Sequence, residues 1–333
     1  MSRLRRFLSY EDLRNRTDAP RGSAWGLFGE DDELGTINFI TPECVTRAAG
    51  LVKRGAVFNL DCAINAFDPT WTGRKLARHT IYSGSGDEDR GAKASDARDD
   101  YVDSFYLQST SQLDGLRHVR HFRHGFYNWT PDEDIIPYTP RIGIQRWAES
   151  GIVGRGVLLD VGRYLTNQGA TLDLSRADSF PVSVLDETAD AQDVEILPGD
   201  ILLIRTGWVD YYLNVMSADD RRAFSDQVYG PGLLPSHEAV AWLWDHQISV
   251  IAADNPAVEA FPAPADSPFP AEVGGLMHAD LIALLGFVLG ELFALESLAD
   301  DCAEDGVYEC LVMSKVLNLV GGVGSPPNAL AVK

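Results

Sequence analysis

Three short apolar runs, spaced widely along the chain, constrain the fold more than any other feature of the sequence. They are residues 156–161, 201–206 and 248–253, each bounded mostly by Gly, Pro or Asp. Unbroken Val, Ile and Leu of this kind is typical of strands buried on both faces, as in the parallel sheets of α/β proteins. Residues 57–60 and 308–312 are predicted to add strands towards either end of the chain.

Helical patterns lie between these runs. The first begins Thr41-Pro42-Glu43, a capping residue followed by proline at the first helical position, and Ser236 begins the fourth. The alternation predicts an α/β domain rather than an all-β sandwich. We predict a single domain over residues 1–333, with an N-terminal arm of about residues 1–24. The predicted helices are residues 41–52, 142–149, 217–227, 236–246 and 278–289.

Two segments are predicted to be irregular. Residues 87–100 are polar, contain glycine and show no apolar periodicity, which indicates an exposed loop. Residues 255–275 hold five prolines and end in two glycines, so they cannot form a long helix. A loop of this kind beside a catalytic cluster would form a pocket wall.

Charge and cysteine content exclude several classes of function. The 28 basic and 49 acidic residues give a net charge of −21, which disfavours binding to nucleic acids and to anionic membranes. The chain has no apolar run long enough to span a bilayer and no secretory signal pattern at its start. Four cysteines without a C-x-x-C pair indicate reduced thiols and a cytoplasmic location.

Residues 108–118 (QSTSQLDGLRH) hold the densest group of candidate catalytic side chains. Asp114 and His118 follow two glutamines, and His278 and Glu291 form a distant second group. Hydrolysis of an amide or lactone needs an activated water, a proton carrier and positive charge near the developing oxyanion; a metal can supply the first and third. Structural alternatives exist, since Asp-Gly is a common turn dipeptide and His118 also suits a core position.

Ordered blocks of sequence recur along nearly the whole chain. They are residues 25–29, 32–38, 41–43, 112–118, 126–128, 155–160, 198–202, 205–208, 254–255 with 259, 278–291 and 321–326. Together these blocks resemble the cyclase family, the metal-dependent hydrolases that include kynurenine formamidase and isatin hydrolase. The resemblance implies an α/β fold of the swivelling β/β/α type, with a central mixed sheet closing towards a barrel and flanked by helices. It also implies a homodimer or homotetramer that acts on a small molecule.

The family signature is His-x-Gly-Thr-His-x-Asp-x-Pro-x-His, and part of it is present here. Its aspartate falls on Asp114, and its last histidine, the acid/base residue of the family, falls on His118. The later histidine and glutamate ligands of the family fall on His278 and Glu291. The resemblance therefore implies that Asp114, His278 and Glu291 bind a metal, and that His118, Asp114 and Glu291 take part in catalysis.

The sequence departs from the signature at the two metal-binding histidines. These fall on Gln108 and Gln112, while its Gly-Thr falls on Thr110-Ser111 and its proline on Leu116. An amide oxygen is neutral and harder than imidazole, so two such exchanges weaken a zinc site and favour oxygen-loving ions such as Mn²⁺. Two possibilities remain open from the sequence. One is a divalent metal, Mn²⁺ or Zn²⁺, bound by Asp114, His278 and Glu291 with help from Gln108 or Gln112, and the other is a metal-free pocket.

Three functional hypotheses follow. The first is a hydrolase of an amide, formamide or lactone bond in a small cyclic or aromatic molecule, with a metal-activated water and His118 as acid/base. The second is a metal-independent cyclase, dehydratase or lactone-forming enzyme that uses His118 with a carboxylate. The third is an inactive relative that binds a ligand. In each case Tyr127, Asn128 and Trp129, close behind His118, are predicted to contact the ligand.

Overall fold

The computed structural model describes residues 7–71, 73–83 and 98–333. Its centre is a nine-stranded mixed sheet that curls into a half-barrel, with strand order β1-β13-β11-β5-β7-β9-β10-β4-β12. The strands are β1 Val57–Asn59, β2 Arg78–Ser83, β3 Arg98–Asp103, β4 Gln112–Asp114, β5 Ile152–Leu159, β6 Ser179–Phe180, β7 Ile201–Ile204, β8 Gly232–Leu233, β9 Val250–Ala253, β10 Val288–Glu291, β11 Glu309–Ser314, β12 Gly324–Ser325 and β13 Ala329–Val332.

The middle of the sheet is parallel and its flanks are antiparallel. Strands β5, β7, β9 and β10 run parallel to one another, whereas β11, β13 and β1 extend one side by antiparallel pairing and β4 and β12 extend the other. The apolar runs at residues 156–161, 201–206 and 248–253 form β5, β7 and β9, and the predicted outer strands form β1 and β11. All five strand predictions are confirmed.

Side chains of the parallel strands alternate between two hydrophobic cores, one on each face of the sheet. Val157, Leu202 and Ile251 belong to the first core, and their neighbours Leu158 and Leu203 belong to the second. All five are fully buried. Burying one such side chain contributes about 1.5–3 kcal/mol, which explains why these strands have no polar face.

Helices cover both faces of the sheet. Four of the five predicted helices are present with shifted ends, and the side chains of Thr41 and Ser236 cap two of them by accepting from the N–H groups of Cys44 and Ala239. The α-helices of the described residues are α1 Tyr10–Arg14, α2 Pro42–Ala49, α3 Gln145–Ser150, α4 Val161–Asn167, α5 Ser183–Ala191, α6 Trp208–Asp210, α7 Ala218–Asp226, α8 His237–Asp245 and α9 Glu296–Asp305.

The helix predicted over residues 278–289 is wrong in its second half. A short π-helix covers Ala279–Leu285 and ends at Gly286, whose φ of 74° lies in the left-handed region that favours glycine. The chain then continues as β10, so Glu291 ends a strand rather than following a helix. The apolar run contained two elements, and a glycine separates them.

Of the two segments predicted to be irregular, one is confirmed and the other is wrong in part. Residues 255–275 contain only a short 3₁₀ turn, Ala271–Val273, as expected. Residues 87–97 of the predicted loop lie outside the described residues, and residues 98–100 begin β3, so the loop prediction is wrong there. Strands β2 and β3 pair only with each other and form a two-stranded sheet.

Two further expectations concern the whole chain. The four cysteines are free, as their spacing predicted. Among the residues that the structure describes, no helix combines the length and the apolarity needed to cross a bilayer.

Candidate metal centre

The pairing of β4 with β10 sets the geometry of the candidate site. Gln112 lies directly opposite Glu291, and Asp114 lies opposite Leu289. Because side chains alternate along a strand, Gln112 and Asp114 point to the same face as Glu291. Two segments that are far apart in the sequence are therefore held side by side by main-chain hydrogen bonds.

Asp114, His278 and Glu291 form a compact cluster on this face. One potential ligand atom from each lies within 4.8 Å of the others, and all three residues are buried. His278 immediately precedes the π-helix and reaches the cluster from the C-terminal side of the long loop. Two carboxylates and one imidazole are a donor set that suits a divalent cation.

His278 is fixed through both of its ring nitrogens. Its Nδ1 lies 2.5 Å from Oε1 of Glu259, and its Nε2 lies 3.1 Å from Oε1 of Glu291. The other oxygen of Glu259 accepts from the main-chain N–H of Met277 at 2.7 Å. Burial lowers the pKa of His278, but the hydrogen bonds with the two glutamates outweigh it and raise the pKa well above its usual value.

The loop that carries Glu259 is strained. Val258 has a φ of 61°, which is rare for a β-branched residue, and the side chain of Asn255 holds it there. Asn255 accepts from the N–H of Val258 at 2.7 Å and donates to its carbonyl at 3.1 Å. This turn directs the side chain of Glu259 towards His278. The strained backbone at Val258 therefore positions the carboxylate that holds the imidazole.

Asp114 lacks the hydrogen bonds that its burial would normally demand. Among the residues that the structure describes, neither of its carboxylate oxygens has a hydrogen-bond partner, and the amide oxygen of Gln112 lacks one too. Burial is the largest cause that raises the pKa of Asp114 above its usual range. His118 Nε2 lies 3.5 Å away. Three unpaired oxygens beside His278 and Glu291 fit a bound cation, because a buried carboxylate without a partner is costly.

A cavity of about 430 Å³ opens above the cluster. His118, His278, Gln112 and Glu291 line its floor, and Arg74 lines it too. The rest of the lining is largely apolar. It consists of Trp71, Val119, Val228, Pro256, Ala257, Phe261, Val273 and Leu276, with Arg120 and Glu272. A volume of this size suits a small organic ligand.

Comparison with known proteins identifies the family. The Cyclase family model matches residues 59–260, which is more than half of the chain. A solved structure described as a novel cyclase is 32% identical, with a TM-score of 0.79, over 93% of this chain and 99% of its own. The chain belongs to the cyclase family. Among curated proteins, none matches this sequence significantly.

More distant cyclase-fold structures share the architecture. Isatin hydrolase A from Ralstonia solanacearum is 17% identical, with a TM-score of 0.54, over 86% of this chain and 94% of its own. An isatin hydrolase bound to the product analogue thioisatinate is 16% identical, with a TM-score of 0.55, over 88% of this chain and 98% of its own. At these identities the likeness shows the fold alone.

Within this cyclase-family chain, most of the predicted site residues meet. The structure brings together Asp114, His278 and Glu291, with Gln112 and His118 beside them. The amide nitrogen of Gln112 donates to Glu291, which leaves its unpaired oxygen beside the cluster. The side chain of His118 is about one-quarter exposed and lines the cavity.

Four predicted site residues lie elsewhere. Gln108 is not among the residues that line the cavity, and its main-chain carbonyl accepts from Arg74. Tyr127 donates to Asp32, and Asn128 binds the carbonyl groups of the 29–32 turn. Trp129 packs against Trp25. None of residues 127–129 lines this cavity, whereas Asn128 and Trp129 line a second cavity of about 450 Å³. Their contact with a ligand stays a prediction.

Two residues gained a role that the sequence did not reveal. Arg74 lies in a loop with no motif, so nothing in the sequence placed it near the cluster. Glu259 belongs to a resembling block, but only the geometry shows that it holds His278. Its position within the proline-containing segment 255–275, ahead of His278, was the available signal.

Proposed function

We propose that this protein is a hydrolase that cleaves an amide, formamide or lactone bond in a small cyclic or aromatic molecule. The observation that carries the proposal is the state of Asp114, which lies beside His278 and Glu291. Its two buried oxygens have no hydrogen-bond partner in the described part of the chain. The apolar cavity above them suits a ring-containing substrate.

Asp114, His278 and Glu291 would hold a divalent cation, with the amide oxygen of Gln112 as a further donor. Such a cation, when bound, supplies an activated water and positive charge for the developing oxyanion. Because one donor is a neutral amide oxygen where the family has histidine, we infer a preference for Mn²⁺ over Zn²⁺.

The protein side chains have separate tasks in this scheme. Glu259 orients His278 by accepting from its Nδ1–H, in the manner of a carboxylate–histidine pair behind a metal ligand. His118 faces the cavity near Asp114 and can carry a proton to the leaving group. A ligand that covers the apolar part of the lining would displace water and so strengthen the electrostatic interactions inside the cavity.

Elemental analysis of the purified protein, combined with a screen of amides and lactones, tests the proposal. We expect about one divalent ion per chain, loss of turnover in chelator and recovery with Mn²⁺. His118→Ala should lower turnover by about a hundredfold or more. His124→Ala is the matched control, since His124 is exposed on the same segment and does not line the cavity. Full turnover in chelator would refute the metal-dependent mechanism.

A metal-independent reaction is the second candidate, and one observation favours it. His278 and Glu291 already form hydrogen bonds within the cluster, with Glu259 and Gln112 as the outer partners. His118 with Asp114 would then be the acid/base pair. Turnover by protein that elemental analysis shows to be free of metal would establish this candidate. An inactive ligand-binding protein would instead show thermal stabilisation by ligand without turnover.

We also propose a homodimer or homotetramer in which the β2–β3 hairpin packs against a second copy. Both strands expose large apolar side chains, and an isolated hairpin is marginally stable in water. The exposed residues are Ile81, Tyr82, Tyr101 and Val102. Light scattering should give a mass of at least two chains, reduced in Ile81→Glu but not in Val215→Glu, an exposed control. A wild-type mass of one chain would contradict this.

A cytoplasmic location is proposed on the basis of the free thiols. Cys44, Cys302 and Cys310 are buried and unpaired, which suits a reducing compartment. Fractionation of cells that express the untagged chain is the direct test.

A further inference from the structure

Arg74 brings a positive charge into the cavity beside the acidic cluster. It lines the same cavity as His118, His278 and Glu291 and is half-buried. Its guanidinium lies near enough to Glu291 and Asp114 to feel their charge, yet among the described residues no carboxylate forms an ion pair with it. Its charge is therefore not already neutralised by a direct partner.

The turn that carries Arg74 is held in place by its own hydrogen bonds. The N–H of Arg74 donates to the carbonyl of Trp71 at 3.2 Å, and the hydroxyl of Thr70 donates to the carbonyl of Arg74 at 2.6 Å. Trp71 is buried and packs edge-on against Phe67, with 5.5 Å between the ring centroids. This packing anchors the main chain from which the guanidinium projects.

Some N–H donors of the guanidinium have no partner among the described residues. Nη1 donates to the main-chain carbonyl of Gln108, while Nε and Nη2 have no hydrogen-bond partner among the described residues. A planar guanidinium with free donors matches the two oxygens of a carboxylate. A neutral apolar ligand would cover these donors without satisfying them, which is unfavourable.

The second cation of the cavity is differently placed. Arg120 is about half exposed, and its Nη1 lies 3.3 Å from a carboxylate oxygen of Asp132. Phe261, Pro256 and Leu276 supply apolar lining. The cavity thus combines an apolar wall with one cation that has free donors, a pattern that suits an apolar ligand with a single anionic group.

We propose that Arg74 binds a carboxylate of the ligand, and that the ligands of this site are small apolar molecules that carry one. This inference rests on the proposed hydrolase function for the source of the carboxylate. The group is either the acid released by hydrolysis of the amide or lactone, or a carboxylate that the substrate already carries. In both cases Arg74 determines specificity by charge.

Calorimetric titration of the full-length protein with three probes tests the proposal. Benzamide is neutral, benzoate represents the released acid, and 2-carbamoylbenzoate carries an amide and its own carboxylate. We expect at least one carboxylate probe to bind about tenfold or more tightly than benzamide. Tightest binding of benzoate would identify the released acid, and tightest binding of 2-carbamoylbenzoate would identify a carboxylate of the substrate.

Variants test whether Arg74 causes the preference for carboxylate probes. Arg74→Gln should remove most of the preference for carboxylate, Arg74→Lys should keep part of it, and Arg120→Gln is the matched control that should keep all of it. The proposal is overturned if wild-type protein shows no preference, or if the preference persists in Arg74→Gln. Each titration is repeated in the presence of chelator. A probe whose carboxylate binds only to a metal loses its affinity when the metal is removed. Because binding is read without turnover, an absence of hydrolysis would refute the proposed function and leave this inference standing.

Discussion

Asp114 and Asp254 are two buried carboxylates in opposite states. Asp114 is 1% exposed and Asp254 is 2% exposed, and burial raises the pKa of both. Asp254 accepts from the N–H and the hydroxyl of Thr206 at 2.6 and 2.7 Å, and from the N–H of Gly207 at 2.7 Å. Asp114 accepts no hydrogen bond from any residue that the structure describes. Burial alone therefore does not distinguish these two aspartates, whereas their hydrogen bonding does.

The sharpest test of this contrast is Asp114→Asn. We expect metal affinity to fall by a hundredfold or more, since even residues behind metal ligands typically change it by about ten- to a hundredfold. The stability of the metal-free protein should be unchanged or higher, because the variant removes an unsatisfied buried charge. Competition with a chromophoric chelator and denaturant unfolding measure the two quantities. A large loss of metal-free stability would show that Asp114 is structural.

The reverse result is expected for Asp254→Asn. The amide group cannot accept from all three donors, so the free energy of unfolding should fall by about 2–4 kcal/mol. Metal affinity should change by less than about threefold, because Asp254 is outside the cluster. Denaturant unfolding of chelator-treated protein measures the first quantity. A loss of metal affinity without a loss of stability would undo the contrast between the two aspartates.

Glu259 resembles Asp254 in its complete hydrogen bonding and Asp114 in its position beside the cluster. Both of its oxygens are hydrogen-bonded, yet one of them holds His278. Glu259→Gln should lower metal affinity by about ten- to a hundredfold by releasing the imidazole. Glu272→Gln is the control, because Glu272 lines the same cavity but is exposed. Equal effects of the two variants would indicate general electrostatics rather than orientation.

The smallest effect is expected where the cluster gains a ligand. Gln112→His should raise zinc affinity by about tenfold, about 1.4 kcal/mol, and manganese affinity by less. Gln108→His, at the other signature position, should leave both affinities unchanged, since Gln108 does not line the cavity. A gain from Gln108→His equal to that from Gln112→His would place both residues in the metal centre.

The fold was predictable from sequence where one element matched one pattern. Strands β5, β7 and β9 are buried on both faces and therefore appear as unbroken apolar runs. The run over residues 278–291 misled because a π-helix and a strand, both buried, have the same composition. Gly286 was the available signal, but a single glycine does not by itself end a predicted helix.

Of the candidate site, only the candidate metal-binding residues were predictable from the sequence. Spacing and resemblance identified Asp114, His278 and Glu291, and the structure brings them together. Residues 127–129 follow His118 closely in the chain but do not line the same cavity, because Tyr127 and Asn128 bind the N-terminal loop. Their contact with a ligand stays a prediction. Arg74 could not be predicted, since its position depends on the packing of Trp71 in a loop.

The pairing register of β4 and β10 has an evolutionary consequence. Main-chain hydrogen bonds, which are indifferent to side-chain identity, place position 112 opposite position 291. A single codon change at position 112 can therefore exchange an amide for an imidazole without moving the backbone. The metal preference of this site, or its dependence on a metal, can therefore change during evolution while the fold keeps its stability. Such a fold is well suited to acquiring new reactions.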